Sequence, residues 1–252
     1  MNVLTKPALF AIALPVLSTF FSASARAEEP PCPFYENRSG LCGYYHSEIS
    51  PAEAYLDAVV NRDDRKGHDR DGRGDRHGRS PQAVILDVRS TPEYKAGHPA
   101  YSYNVPYPYI YQYCDAKGRS ADGACVKSVS QIAQTDADFV SYVESIIPDK
   151  STPIYTLCRT GVRSVGAANL LTDAGYTNAR NIWEGFVGIN LTAPKKQADG
   201  STLVLPVDLN HDGVLTDADK NGWRYHQALP YETRLSPRLI YKPMADLYDM
   251  VD

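Results

Sequence analysis

Beyond the first 27 residues, apolar positions along the chain fall into two short runs and several periodic stretches. AVILDV at residues 83–88 is apolar without alternation up to the polar Asp87 near its end. That pattern predicts a strand buried on both faces of a parallel sheet, its C-terminal end turned toward a site. PIYTL at residues 153–157 predicts a second strand of this kind. Between them, ADFVSYVESII at residues 137–147 repeats its apolar positions at helical spacing, and SVGAANLLTDAGY predicts another helix from Ser164, closed by Gly175. Upstream, Ser50, Pro51 and Glu53 follow the order N-cap, first-turn proline, first-turn acid, which opens a helix to about Val60. Strands alternating with helices argue for an α/β domain with a central, mainly parallel sheet.

The polar stretches read as additions to that core. NRDDRKGHDRDGRGDRHGRS after the first helix is almost free of apolar residues, so residues 62–80 are expected to form a solvated insertion. His68 and His77 lie in it without metal-ligand spacing or a hydrophobic frame, and a charged loop is the default reading. A tyrosine-rich second insertion covers about residues 107–130; it either overhangs the site or packs as a flap elsewhere. A third covers about residues 189–221, and the tail over residues 231–252 is expected to wrap the domain.

At the N-terminus, Lys6 precedes an apolar run from Pro7 to Phe21 and a small-residue Ala25-Arg26-Ala27 signal, which predicts a secretory leader over residues 1–27. Residues 28–47 then form an N-terminal extension, and no segment after the leader suits a membrane. The expected location is the periplasm or outside the cell, where thiols pair. The chain has 5 cysteines, an odd number. Cys32 with Cys42 and Cys114 with Cys125 make the favoured local pairing of three possible ones, which leaves Cys158 over. A formal net charge of −4, from 26 Lys+Arg against 30 Asp+Glu, removes any global electrostatic case for nucleic acid. The 18 tyrosines imply many aromatic hydroxyls in need of partners.

Cys158 stands at the end of the second predicted strand, followed by Arg159, Thr160, Gly161, Val162, Arg163 and Ser164. Strand, tight loop, helix is an arrangement that gathers backbone N–H groups and a positive helix end around the loop. Gly161 lets the loop curl, and such a nest beside two guanidiniums favours the thiolate, the attacking form. The loop is therefore expected to bind an anion next to a nucleophile.

These residues, with ILDVRSTPEYKAGHPAYSYNVPY (Asp87, Arg89, Glu93, Tyr94, Gly97, His98, Asn104, Pro106), NIWEGFVG from Asn181 and GWRYHQALP to Pro230, resemble the rhodanese-like sulfurtransferases. The resemblance spans about residues 48–230 and implies a three-layer α/β domain interrupted by loop insertions. It also implies a Cys158 persulfide. The thiolate takes the outer sulfur of an anionic donor such as thiosulfate and passes it to a thiophilic acceptor, cyanide, a thiol or a protein thiol. Arg159 and Arg163 would hold the donor, and the N–H groups over residues 160–164 the persulfide. Asp87 and Arg89 would support the strand rather than react.

Two other readings of the domain stay open, a sulfur carrier or partner-binding module without turnover, and a phosphatase or oxyanion reductase. Related phosphatases and arsenate reductases separate Cys and Arg by five residues around a tetrahedral oxyanion. Here four residues separate Cys158 from Arg163, a tighter cradle that favours sulfur.

Within the third insertion, DLNHDGVLTDAD resembles an EF-hand or dockerin-type calcium loop, with Asp208, Asn210, Asp212, the carbonyl of Val214, Thr216 and Asp219 in ligand positions and Gly213 at the turn. The last position is Asp rather than Glu, the preceding STLVLPV is extended, and there is no second copy. A structural Ca²⁺ is the expected cofactor, with no organic one; an Asx-rich turn capped at Thr216 is the other reading. Either way the loop is expected to lead into the family's last helix, running through Gly222 toward Ala228.

Overall fold

The structure, a computed structural model, describes residues 35–36, 40–62 and 81–250. The expected leader, most of the charged insertion and Cys32 lie outside the described residues.

A five-stranded sheet forms the centre. Its strands, in chain order, are β3 (Ser47–Ile49), β4 (Val84–Asp87), β5 (Tyr103–Asn104), β8 (Ile154–Leu157) and β9 (Ala179–Ile182). The spatial order is β3-β9-β8-β4-β5, and every neighbouring pair is parallel. β4 and β8 are the two apolar runs, paired from Val84 with Ile154 to Asp87 with Leu157. Alternation sends Leu86, Val88 and Ile154 into one core with Phe139, Val143, Val165 and Leu171, and Ile85, Tyr155 and Leu157 into another with Ala54, Val59, Phe186 and Trp223. Helices thus cover both faces of the sheet, giving three layers.

The helices begin where their caps demand. In α1 (Pro51–Tyr55) Ser50 accepts from the Glu53 amide while the Glu53 carboxylate accepts from the Ser50 amide, a reciprocal capping box. The helix continues as a π-type segment, Leu56–Val60. The short α2 (Thr91–Lys95) repeats the device with Ser90 and Glu93, and α3 (Asp136–Ile146) starts at Thr135, whose hydroxyl accepts from the Asp138 amide. By contrast α4 (Arg163–Asp173) starts from Val162, which has no side chain able to cap.

The insertions are β-hairpins. β6 (Tyr109–Cys114) pairs antiparallel with β7 (Ser128–Ala133), and a Cys114–Cys125 disulfide staples the connection. Cys42, in the short pair β1 (Tyr35–Glu36) with β2 (Cys42–Gly43), is also disulfide-bonded, and Cys158 is the free cysteine among the described residues. β10 (Thr192–Lys196) and β11 (Thr202–Pro206) form an exposed hairpin; β11 is the stretch read as extended. The tail runs back along the domain. Glu232 exchanges both backbone hydrogen bonds with His98, the Asn104 amide donates to the Leu239 carbonyl, and Tyr241 and Tyr248 are buried.

One expectation is corrected. No helix runs from Gly222 toward Ala228; after a single 3-10 turn, Asp217–Asp219, the chain passes through irregular turns. Close approach is the reason. A Cβ on Gly222 would lie 2.3 Å from the Val187 carbonyl carbon, Ala228 takes φ +46°, and fully buried Trp223 donates its indole N–H to the Pro230 carbonyl across the bend.

Most buried tyrosine hydroxyls have partners, as their number required: Tyr94 donates to the Ser102 carbonyl, Tyr176 to the Ile147 carbonyl, and Tyr248 to Asn104. No helix among the described residues is long and apolar enough to cross a membrane.

Candidate active site

Cys158 follows β8 directly and is fully buried, although it carries no disulfide. Two glycine-rich backbones meet here. Gly161 takes φ +79°, and a Cβ on it would lie 1.8 Å from the Trp183 carbonyl oxygen; a Cβ on Gly185 would lie 2.6 Å from the Thr160 and Gly161 nitrogens. The Phe186 amide donates to the Cys158 carbonyl at 2.8 Å, and Val187 to the Arg159 carbonyl at 2.9 Å. The loop's carbonyls are therefore tied outward to residues 186–188. Among the described residues, none of the N–H groups over residues 159–164 donates to another protein group, and α4 has no side-chain cap. Free amides at the start of an eleven-residue helix, next to a thiol, are the chemical content of an anion cradle.

The sulfur has one side-chain neighbour within hydrogen-bond range. Ser164 Oγ lies 3.2 Å from Cys158 Sγ and 2.6 Å from Asn181 Oδ1. The Asn181 amide donates in turn to Glu48 at 2.9 Å and to the Gly161 carbonyl at 3.2 Å, and Glu48 accepts from Tyr45 at 2.6 Å. A line of hydrogen bonds thus runs from β3 through β9 to the Cys158 sulfur.

Both arginines of the loop carry carboxylate partners. Arg163 donates to Glu93 Oε1 at 2.7 Å and Oε2 at 3.0 Å, and Glu93 is 1% exposed. Burial alone would raise the Glu93 carboxyl, but Arg163, assisted by Arg89 and Ser90, holds it at about 2, well below its ordinary value. Arg159 Nε donates to Asp122 Oδ2 at 2.5 Å. Asp122 belongs to the tyrosine-rich insertion and is 4% exposed; its other oxygen accepts from Ser120. The insertion thus overhangs the site. Gly123 packs so closely on α2 that a Cβ would lie 2.2 Å from the Pro92 carbonyl oxygen.

Asp87 and Arg89 support the strand end. Their buried pair, 2.6 Å from Arg89 Nη2 to Asp87 Oδ2, is completed by the Glu93 and Gly97 carbonyls and by the Phe186 ring under the guanidinium. Asn104 donates to the carbonyls of both residues.

The residues of the expected calcium loop form a turn network. Asp208 accepts from the Gly213 amide, Asn210 from Asp212 and Asp212 from Val214, while Asp219 is fully buried and accepts from Leu209 and Thr216. Thr216 caps the 3-10 turn. No three His, Cys, Asp or Glu side chains among the described residues converge as a metal cluster. One oxygen, Asp208 Oδ1, is buried without a hydrogen-bond partner.

Sequence reasoning named neither Asp122 nor Glu48 as part of the site. Asp122 sits beside Gly123 in a polar loop and reads as a turn residue, and Glu48 lies in a short edge strand with no motif around it.

Residues 75–192 match the model for the rhodanese-like domain. An uncharacterised protein of Rickettsia rickettsii is 46% identical over 65 residues, which cover 25% of this chain and 53% of that protein. Senescence-associated protein DIN1 of Raphanus sativus is 34% identical over 102 residues, 40% of this chain and 45% of its own. The chain thus spans about half the length of these curated relatives. Among solved structures, that of Rv0390 from M. tuberculosis has 24% identity and TM-score 0.40, covering 75% of this chain and 99% of that one. A rhodanese with anions from E. coli has 20% identity and TM-score 0.26, covering 39% and 82%.

Proposed function

From a chain that carries a rhodanese-like domain with a buried free thiol at its strand end, we propose an exported sulfurtransferase. One observation carries the reading: Cys158 stands directly before a run of N–H groups, over residues 159–164, that no protein group among the described residues occupies. The Cys158 thiolate attacks the outer sulfur of a donor R–S–S⁻ or S–SO₃²⁻. The S–S bond breaks, the leaving group departs as thiolate or sulfite with the electron pair, and the outer sulfur stays on Cys158 as a persulfide. The free amides hold the charge on the terminal sulfur. A thiophilic acceptor, cyanide or a thiol, then takes that sulfur and restores the thiolate.

The test is sulfur transfer from thiosulfate to cyanide by purified protein, lost in Cys158→Ser; activity that survives the substitution overturns the proposal. A carrier that keeps its persulfide is the second reading, favoured by the complete burial of Cys158. It predicts a stable sulfur adduct on Cys158 without turnover on small acceptors, and hence a protein thiol as partner. Phosphatase chemistry needs Arg163 free for the oxyanion, whereas Arg163 is bidentate to Glu93.

Calcium at residues 208–219 is proposed as a structural ion. Asp208 Oδ1, buried and unpartnered, is the atom a cation would satisfy; Asp212 and Asp219 would have to release backbone N–H groups to join it. A melting temperature raised by Ca²⁺ and lowered by a chelator supports this, and no shift rejects it.

A further inference from the structure

Each guanidinium of the cradle already has a carboxylate partner. Arg163 is neutralised by Glu93 and Arg159 by Asp122, both carboxylates nearly fully buried. The first pair comes from within the domain's core motifs, the second from the inserted hairpin. What remains for a donor, among the described residues, is the set of amides over residues 159–164 and the outer edge of an Arg159 guanidinium whose charge Asp122 already balances, which suits one negative charge better than two.

Asp122 is also firmly held. Ser120 donates to its other oxygen, Gly123 is seated on the Pro92 carbonyl, the Cys114–Cys125 disulfide closes the loop behind it, and Arg224 Nη1 reaches the Ala121 carbonyl at 3.5 Å. The carboxylate is thus fixed in place beside the Cys158 loop. It anchors Arg159 through Nε; among the described residues the two terminal amino groups have no hydrogen-bond partner, and the Asp217 carboxylate feels the Arg159 charge.

Resting on the sulfurtransferase reading, we propose that Asp122 is a specificity-determining residue that turns the site away from dianionic donors such as thiosulfate and toward persulfide donors of low charge. A fixed carboxylate beside Arg159 repels the second charge of thiosulfate during approach and in the bound state. A persulfide R–S–SH has little charge to repel. Its outer sulfur passes to the Cys158 thiolate as the S–S bond breaks, the proton stays on the transferred sulfur, and the leaving group departs as RS⁻, so atoms and electrons balance.

The experiment compares thiosulfate with cysteine persulfide as donors for the wild-type protein, Asp122→Asn and Asp122→Glu, together with the thiosulfate Kd by calorimetry. Asp122→Asn keeps hydrogen-bonding atoms at the Arg159 Nε but removes the charge. It is expected to raise kcat/KM for thiosulfate about five- to tenfold, to tighten thiosulfate binding by a similar factor, and to change kcat/KM for the persulfide less than about twofold. Asp122→Glu keeps the charge and is expected to retain the wild-type preference. An unchanged ratio between donors, or an equal loss with both, overturns the inference while leaving the sulfurtransferase reading intact. If no variant transfers sulfur from either donor, the reading of the activity fails, and the thiosulfate Kd decides the inference alone: a tighter Kd in Asp122→Asn supports charge selection and an unchanged Kd overturns it.

Discussion

Ser164 has one hydroxyl proton and two acceptors in reach, Asn181 Oδ1 and Cys158 Sγ. When the sulfur bears charge, as thiolate or persulfide, the hydroxyl gains by turning to it, and Asn181 stays in place through Glu48 and the Gly161 carbonyl. On the proposed sulfurtransferase reading, Ser164→Ala should therefore slow persulfide formation about ten- to a hundredfold, the worth of one hydrogen bond to a charged group. Rapid-mixing kinetics would measure it, and an unchanged rate would remove Ser164 from the chemistry. Glu93 makes a prediction about acid. Its carboxyl is held at about 2 in the fold against an ordinary 4.5. A depressed carboxyl contributes stability above its unfolded value and loses it as pH falls through the folded one. Stability should thus drop between about pH 4.5 and pH 2, and Glu93→Gln should flatten that part of an acid-unfolding curve.

At the scale of elements, the cradle depends on two loops that touch backbone to backbone. Gly161 is needed twice over, for φ +79° and for the missing Cβ that would meet the Trp183 carbonyl at 1.8 Å. Gly161→Ala should cost about 2 kcal/mol or more in urea unfolding and abolish persulfide formation, because relief of the clash parts the Cys158 loop from residues 183–188. The inserted hairpin is a second such element. Its disulfide spans a sequence separation of 11, a short loop for which about 2–3 kcal/mol is expected. The double change Cys114→Ser with Cys125→Ser should lower the melting temperature and loosen Asp122, which a shift in donor preference would report. α4 shows why an uncapped start matters: a Ser or Thr at Val162 would compete for the amides that an anion needs.

At the scale of the whole molecule, the tail belongs to the fold. Tyr248 donates to Asn104, which holds the Asp87 and Arg89 carbonyls, and Tyr241 and Tyr248 lie in the core with Leu86, Val88 and Phe139. Deleting residues 233–252 should destabilise the domain by several kcal/mol, as expected for at least two buried aromatics lost, and calorimetry would show it. Much of this architecture was legible in the chain. The two apolar runs, 83–88 and 153–157, became the central strands β4 and β8, and the periodic stretches became α3 and α4, because burial on two faces or one leaves a local imprint on residue type. The loop from Cys158 to Ser164 was readable for the same reason: its glycine, thiol and arginines are adjacent in sequence. The missing helix after Gly222 was not, since it depends on contact with Val187 and Gly188, more than thirty residues upstream. Nor could adjacency reveal who neutralises the arginines, because Glu93 and Asp122 come to Arg163 and Arg159 from separations of 70 and 37 residues. The sequence by itself determined the two central strands, the helices that start near residues 51, 137 and 164, and the thiol-bearing loop, all set by short-range pattern. Only the tertiary structure decided the charge around that thiol, because ion pairs form between whatever groups the folded chain brings within a few ångströms.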